Sequence, residues 1–338
     1  MAQIQPVTDF SVPAFIETFD VALRSYFLST ATEPQLTTPD EVHETIRGLK
    51  VSKTPVANGI PNRTLKQLPK RTVSPLAPIF NAVLATHHFP QTWKHALMIS
   101  IFKPGKDPAL PYSYRPISLL DTIGKLFEKS LLARILHVVN ERGLLRDEQI
   151  GFRPRNSTSL QLVCLIERRT RNFGEKRLTG LVFLDVAKAF DNVWIDGLLY
   201  KRTLLNFPPY IVHTISSYLS DRTFEASFQT STSSRRDMRF GLAQAGLISP
   251  VLFRLYVNEI LPPSHHFEFA LYADDTAIIA TSRMPMLLFS FLEVQLNSLQ
   301  RWLSEWRIAL IFSKSTAISF ARDGRLFIHA RPGLSMRN

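Results

Sequence analysis

The stretch VFLDVAKAFD, residues 182–191, decides how the chain is read. From Leu181 it runs as a β-type apolar segment and ends on a carboxylate, Asp185. A second stretch, FEFALYADDTAIIA (267–280), sets two apolar runs around an acidic pair. That is the pattern of a hairpin with Asp274-Asp275 at or near its turn. Carboxylates at the ends of apolar strands are costly unless something compensates their charge. Hard divalent cations prefer such oxygens, and two of them about 4 Å apart can clamp the attacking and leaving oxygens of a phosphoryl transfer. Asp185 and Asp274 are 89 residues apart, so only folding could unite them. Taken singly, each signal is weak, because aspartate often simply ends a strand.

Working outward, Thr38 can cap a helix whose first position is Pro39, with Glu41 three residues on as in a capping box. Val42, Ile46 and Leu49 then share a face. Residues 51–64 read as a turn-rich loop, and a helix is expected over about 74–88. Residues 95–103 predict a strand leading into the basic turn Lys103-Pro104-Gly105-Lys106. Further helices are expected over about 121–142, 157–173 and 286–307. In the last of these Leu292, Leu296, Leu299, Leu303 and Trp306 fall at helical spacing, which makes Trp302 and Trp306 packing residues rather than a base-stacking platform. Helices mixed with scattered short strands indicate an α+β fold.

Composition bounds the function. The 338 residues are 45% hydrophobic and 20% charged, which excludes global disorder. One cysteine, Cys164, excludes a disulfide scaffold and a cysteine-based zinc site. His87-His88 and His265-His266 lack companions at ligand spacing and read as ordinary surface histidines. The net charge is +12, yet residues 1–45 carry −6, so the body carries +18. That surplus suits a polyanionic partner, most simply nucleic acid, with solubility charge as the plain alternative. No apolar run reaches the ~18 residues of a membrane span, and the N-terminus lacks the basic start of a signal peptide. The expectation is a protein of the nucleus or cytoplasm, not secreted.

The decisive signal is a series of motifs in one order: FPQTWKHALMISIFKPGKDP (89–108), SYRPISLLDTIGKLFEK (113–129), QIGFRPRNSTSLQL (149–162), FLDVAKAFDNVW (183–194), GLAQAGLISPVLFRLYVNEI (241–260), LYADDTAI (271–278) and WRIALIFSKS (306–315). With them the chain resembles the reverse transcriptase domain of non-LTR retrotransposons, nearest the jockey-like group, over about residues 40–320. The resemblance implies a right-hand polymerase fold with fingers and palm. It also implies RNA-directed DNA polymerase activity on an RNA template and DNA primer with deoxynucleoside triphosphates, supported by two Mg²⁺ ions, with Mn²⁺ as a substitute. On it, Asp185, Asp274 and Asp275 match the metal-binding carboxylates. Phe190 matches the aromatic that excludes a ribose 2′-OH, and Gln244 the polar residue beside the incoming nucleotide and template. Lys314 resembles a lysine placed to neutralise leaving pyrophosphate, with a solvated surface lysine as its plain alternative. Arg115 and Arg153 fall in finger motifs suited to phosphates, and Tyr272 falls near the primer end.

The resemblance divides the chain into an acidic lead-in (1–37), fingers with part of the palm (38–180), palm with the catalytic hairpin (181–320) and a C-terminal tail (321–338), the thumb being truncated or absent. Two loops depart from the family. Lys53-Thr54-Pro55-Val56-Ala57-Asn58-Gly59-Ile60 has Val56 for a glycine and Asn58 for an acid. Gly241-Leu242-Ala243-Gln244-Ala245-Gly246 has alanine for both a proline and a glycine. These departures motivate an alternative expectation, a truncated and catalytically impaired remnant that retains nucleic-acid binding.

Overall fold

The computed structural model describes residues 21, 23–26, 33–51, 60–146, 149, 158–228, 231–260, 267–272, 275–320 and 326–329. Its strands are β1 His95–Phe102, β2 Tyr114–Leu120, β3 Leu178–Asp185, β4 Arg222–Phe228, β5 Ser231–Thr232, β6 Arg236–Met238, β7 Phe267–Tyr272, β8 Asp275–Ser282, β9 Thr316–Phe320 and β10 Leu326–His329. The chain forms two compact units, each from two stretches: Met1–Leu144 with Trp194–Leu252, and Leu145–Val193 with Phe253–Asn338.

In the first unit the helix Pro39–Arg47 starts where its capping chemistry puts it. Thr38 is extended, and its hydroxyl accepts the Glu41 N–H at 3.1 Å. Val42 and Ile46 are buried. The Glu41 carboxylate is taken up by Arg134 at 2.8 Å, from the helix Thr122–Glu141. Arg134 is 3% exposed and donates also to the Gln35 carbonyl at 2.7 Å. Asp121 caps that second helix by accepting the Gly124 N–H at 2.8 Å. The helix buries Leu126, Phe127, Leu131 and Ile135. Phe127 meets Phe80 at 5.5 Å and Phe89 at 5.7 Å, edge to face, which adds to their burial. The sheet of this unit runs β2-β1-β4-β5, with β6 also on β4. β1 pairs antiparallel with β2 and parallel with β4.

The second unit is built on the sheet β10-β9-β3-β8-β7, antiparallel throughout. β3 is central because its residues are apolar on both sides. Val182 and Leu184 face a core shared with Ile278, Ala280, Phe267, Phe269 and Leu271. The helix Pro285–Glu305 closes that core with Leu288, Leu292, Leu299 and Leu303. Each such leucine contributes about 2 kcal/mol on burial. Leu181, Ala277 and Ile279 belong to the other face, with Leu165 of the helix Thr158–Gly174 and Phe320 against them. Trp302 and Trp306 pack on the core and on Tyr256, as helical spacing predicts. Among the described residues no helix is long and apolar enough to cross a membrane.

Candidate active site

β3 and β8 pair in a register that decides the site. Leu181 stands opposite Ile279, Phe183 opposite Ala277, and Asp185 opposite Asp275. Because strand residues alternate between faces, positions 181, 183 and 185 form one row. Along that row cover runs out. Leu181 is buried, Phe183 is 37% exposed, and the Asp185 side chain is 32% exposed. The row therefore ends in a partly exposed carboxylate.

The chain that leaves β3 is held by a second set of backbone bonds. Asp185 C=O accepts from Ile311 N–H at 2.8 Å, and Ala187 N–H donates to Ala309 C=O at 2.8 Å. Val186 and Leu310 form an isolated bridge between them. This lacing carries the short turn Phe312–Lys314 to the end of β3. Lys314 Nζ then lies 3.1 Å from Asp185 Oδ2. After Ala187 the backbone turns sharply through Lys188, whose φ of 47° is left-handed, an uncommon conformation for a residue with a side chain. Asp191 and Asn192 N–H groups close the turn on the Lys188 carbonyl. The turn sets Phe190 on Phe253, ring centroids 5.1 Å apart and stacked.

The structure thus gathers Asp185, Asp275, Lys314 and Phe190 in one unit. Tyr272 is the register partner of Asp275, as the hairpin pattern predicts. Asp274 and Arg153 lie outside the described residues, as do Val56 and Asn58 of the altered finger loop. Among the described residues no group of three metal-ligating side chains is assembled.

Arg115 and Gln244 belong to the other unit. Arg115 is exposed on β2, opposite Ile101. Gln244 is exposed on a tight turn closed by the Gly246 N–H on the Ala243 carbonyl at 3.0 Å. Ala243 is buried with Ala96 of β1 and Leu120 of β2, which ties the loop to that sheet. The same loop donates its Leu247 N–H to the carboxylate of Glu128, 2% exposed in the helix Thr122–Glu141. Sequence reading singles out no role for Glu128. Its signal is a carboxylate among Leu126, Phe127 and Leu131, on the apolar side of a helix.

Residues 101–329 match the family model described as reverse transcriptase (RNA-dependent DNA polymerase). The probable RNA-directed DNA polymerase from transposon BS of Drosophila melanogaster is 36% identical over 79% of this chain and 30% of its own length. The RNA-directed DNA polymerase from mobile element jockey of the same organism is 34% identical over 88% of this chain and 33% of its own. The probable RNA-directed DNA polymerase from transposon X-element, also from Drosophila melanogaster, is 32% identical over 85% and 32%. The chain spans about a third of the length of these curated relatives. With the family model covering well over half of it, the chain belongs to the reverse transcriptase (RNA-dependent DNA polymerase) family.

Proposed function

We propose that the chain is the polymerase part of a mobile-element RNA-directed DNA polymerase, joining deoxynucleotides to a primer 3′-hydroxyl on an RNA template. The observation that carries this reading is the pairing of Asp185 with Asp275 at the end of β3. Directly opposed positions of an antiparallel pair stand about 5 Å apart at Cβ. Two aspartates so placed repel one another unless a cation lies with them, and Asp185 already takes an ammonium at 3.1 Å. A donor set of carboxylate oxygens suits a hard divalent ion, so the residues present fit magnesium or manganese, held by Asp185, Asp274 and Asp275. Bound there, the ions polarise phosphoryl oxygens and lower the pKa of the primer hydroxyl.

The remaining roles fall to the protein's own side chains. Lys314 is 61% exposed, and an ion pair so exposed is worth about 0–1 kcal/mol, so the ammonium is readily transferred from Asp185 to a leaving pyrophosphate. Phe190, braced by Phe253, bars a ribose 2′-hydroxyl by its bulk. Gln244 contacts the incoming nucleotide and template. Arg115 and Arg153 hold phosphates, and Tyr272 lies by the primer end. In this reading the fingers lie in 38–180 and the palm in 181–320, and the +18 of the chain beyond residue 45 grips the duplex.

The test is extension of a DNA primer on an RNA template with Mg²⁺, wild type beside Asp185→Asn and Asp274→Asn. Product above both variants supports the reading; wild type no better than either refutes it for this chain. Binding to an RNA–DNA duplex that weakens steeply with salt, in all three proteins alike, identifies the impaired, binding-only alternative if extension fails.

A further inference from the structure

We propose that Glu128 is the positioning residue of the Gln244 loop: its buried carboxyl, received by the loop's backbone N–H groups, holds Leu242–Ile248 in the conformation that presents Gln244. The inference rests on the reading of Gln244 as a nucleotide and template contact. Its geometry lies wholly within the first unit. Glu128 stands on the helix Thr122–Glu141 and is 2% exposed. Its carboxylate takes the Leu247 N–H, and Ile248 N–H adds a second bond. Gln244 is three residues before Leu247, and the turn between them is closed by Gly246 on Ala243. Clamping Leu247 at one end while Ala243 is buried against β1 and β2 at the other leaves Gln244 at the exposed tip of a loop fixed at both ends.

The surroundings show why a carboxyl and not an apolar side chain stands there. A leucine at 128 would leave the Leu247 and Ile248 N–H groups buried without these acceptors. The groups that face Glu128 are Lys125 on its own helix, Arg222 on β4, and the Tyr218 phenol on the helix Pro209–Leu219. Burial pushes the Glu128 carboxyl up to about 7, against the pull of the two N–H groups, Lys125 and Arg222. Tyr218 is raised by burial and by the nearby Glu128 charge.

This gives the clamp a direction. When the loop opens, Glu128 reaches water and its pKa returns toward the ordinary value. Deprotonation therefore favours opening, and the closed loop is held best by the protonated acid. Between the ordinary carboxylate range and about pH 7 each pH unit costs the closed loop up to about tenfold in its closing equilibrium, and above that the effect levels off.

The test is native-state hydrogen exchange on the full chain, expressed as protection factors over pH 5 to 9 so that the intrinsic pH dependence is removed. Protection at Leu247 and Ile248 should fall as pH rises to about 7 and then level off, while the β1–β2 ladder amides that exchange by local fraying, with Glu128 still buried, stay constant. Glu128→Gln keeps an acceptor and removes the titration, so its loop protection should be flat across pH. Glu128→Ala should lower protection at Leu247 and Ile248 by about tenfold with the ladder unchanged. Loop protection that ignores pH in the wild type overturns the inference. So does loop and ladder protection falling together in Glu128→Ala, which is the mark of a merely structural residue. Where the chain extends primers, Glu128→Ala should raise the nucleotide KM more than it lowers kcat, and Glu128→Gln should restore it. A wild type that extends nothing refutes the proposed polymerase reading and leaves the exchange result to decide the role of Glu128.

Discussion

Replacing Gly246 by alanine tests whether the Gln244 loop is seated as closely as the structure has it. Gly246 is not among the glycines with positive φ, so backbone strain is not the issue. Space is. A Cβ at 246 would come within 2.6 Å of Ser249 Oγ and 2.7 Å of the Tyr218 hydroxyl, both well inside the roughly 3.5 Å of ordinary van der Waals contact. Ser249 can relieve its share by turning its short side chain. Tyr218 cannot: it is 3% exposed, with its ring against Phe89 at 5.1 Å. The loop must then lift, weakening the Gly246–Ala243 turn and the Leu247–Glu128 bond. Two hydrogen bonds at ~1 kcal/mol each put the cost near 2 kcal/mol, within the usual range for overpacking.

Thermal unfolding of the full chain reads this directly. A 2 kcal/mol loss lowers Tm by about 4–8 °C for a domain of about 200 residues. The second arm is Tyr218→Phe, which removes the hydroxyl that cannot move. In that background Gly246→Ala should cost at least ~1 kcal/mol less than in the wild type, a coupling typical of residues in contact. A Gly246→Ala protein as stable as wild type, or a cost that Tyr218→Phe leaves unchanged, would show that the loop is not packed against Tyr218 and would remove the premise of the Glu128 clamp.

Arg134→Ala should destabilise the chain by about 2–3 kcal/mol in urea unfolding, less than the roughly 3–5 kcal/mol of a fully buried pair because Glu41 keeps 32% of its side chain in water; a loss under ~0.5 kcal/mol would mean that the Glu41 and Gln35 contacts contribute little. The Glu128 carboxyl, raised to about 7, keeps its proton in the folded chain after the unfolded chain has lost it, so this group's contribution to stability falls as pH rises from about 4.5 to 7, by about 3 kcal/mol, and is flat above. Glu128→Gln should accordingly be less sensitive to pH than wild type across that window, and parallel stability curves for the two proteins would refute the shift. Ala243→Pro with Ala245→Gly, which restores the family's loop residues, should raise primer extension; an unchanged rate would mean that the two alanines do not limit it.

The readable parts of the sequence are those where one physical pattern acts alone. Thr38, Pro39 and Glu41 start a helix by local capping, and the structure has it at Pro39–Arg47. Leu292, Leu299 and Leu303 are buried at the helical spacing that predicts them. The expected strands at 95–103 and 181–185 form β1 and β3, and the hairpin forms as β7 and β8. The helix Ile195–Leu204 escapes notice because Lys201 and Arg202, both fully buried, interrupt its apolar period with charged residues. β2 hides for a related reason, since Arg115, Pro116 and the buried Ser118 break up the run Tyr114–Leu120. Glu128 escapes for the opposite reason: a lone glutamate in a helix reads as a solvated side chain, and only the fold reveals that the loop 119 residues further on donates to it.

The candidate site shows the same limit in sharper form. Period-two alternation tells which residues of β3 share a face, but it is silent on which residue of β8 stands opposite. Slipping the pair by one residue would put Asp275 opposite Leu184 and turn every side chain of one strand to the wrong face. What forbids the slip is the core rather than the aspartates. Val182 and Leu184 on β3, with Ile278 and Ala280 on β8, must all meet the helix Pro285–Glu305. Gly180 opens the space in which Leu292 comes to 3.0 Å of where a Cβ would stand. The apolar half of each strand, buried far from any chemistry, thus sets the register that brings Asp185 and Asp275 opposite each other. Two carboxylates that the sequence separates by 90 residues are aligned by the packing of leucines.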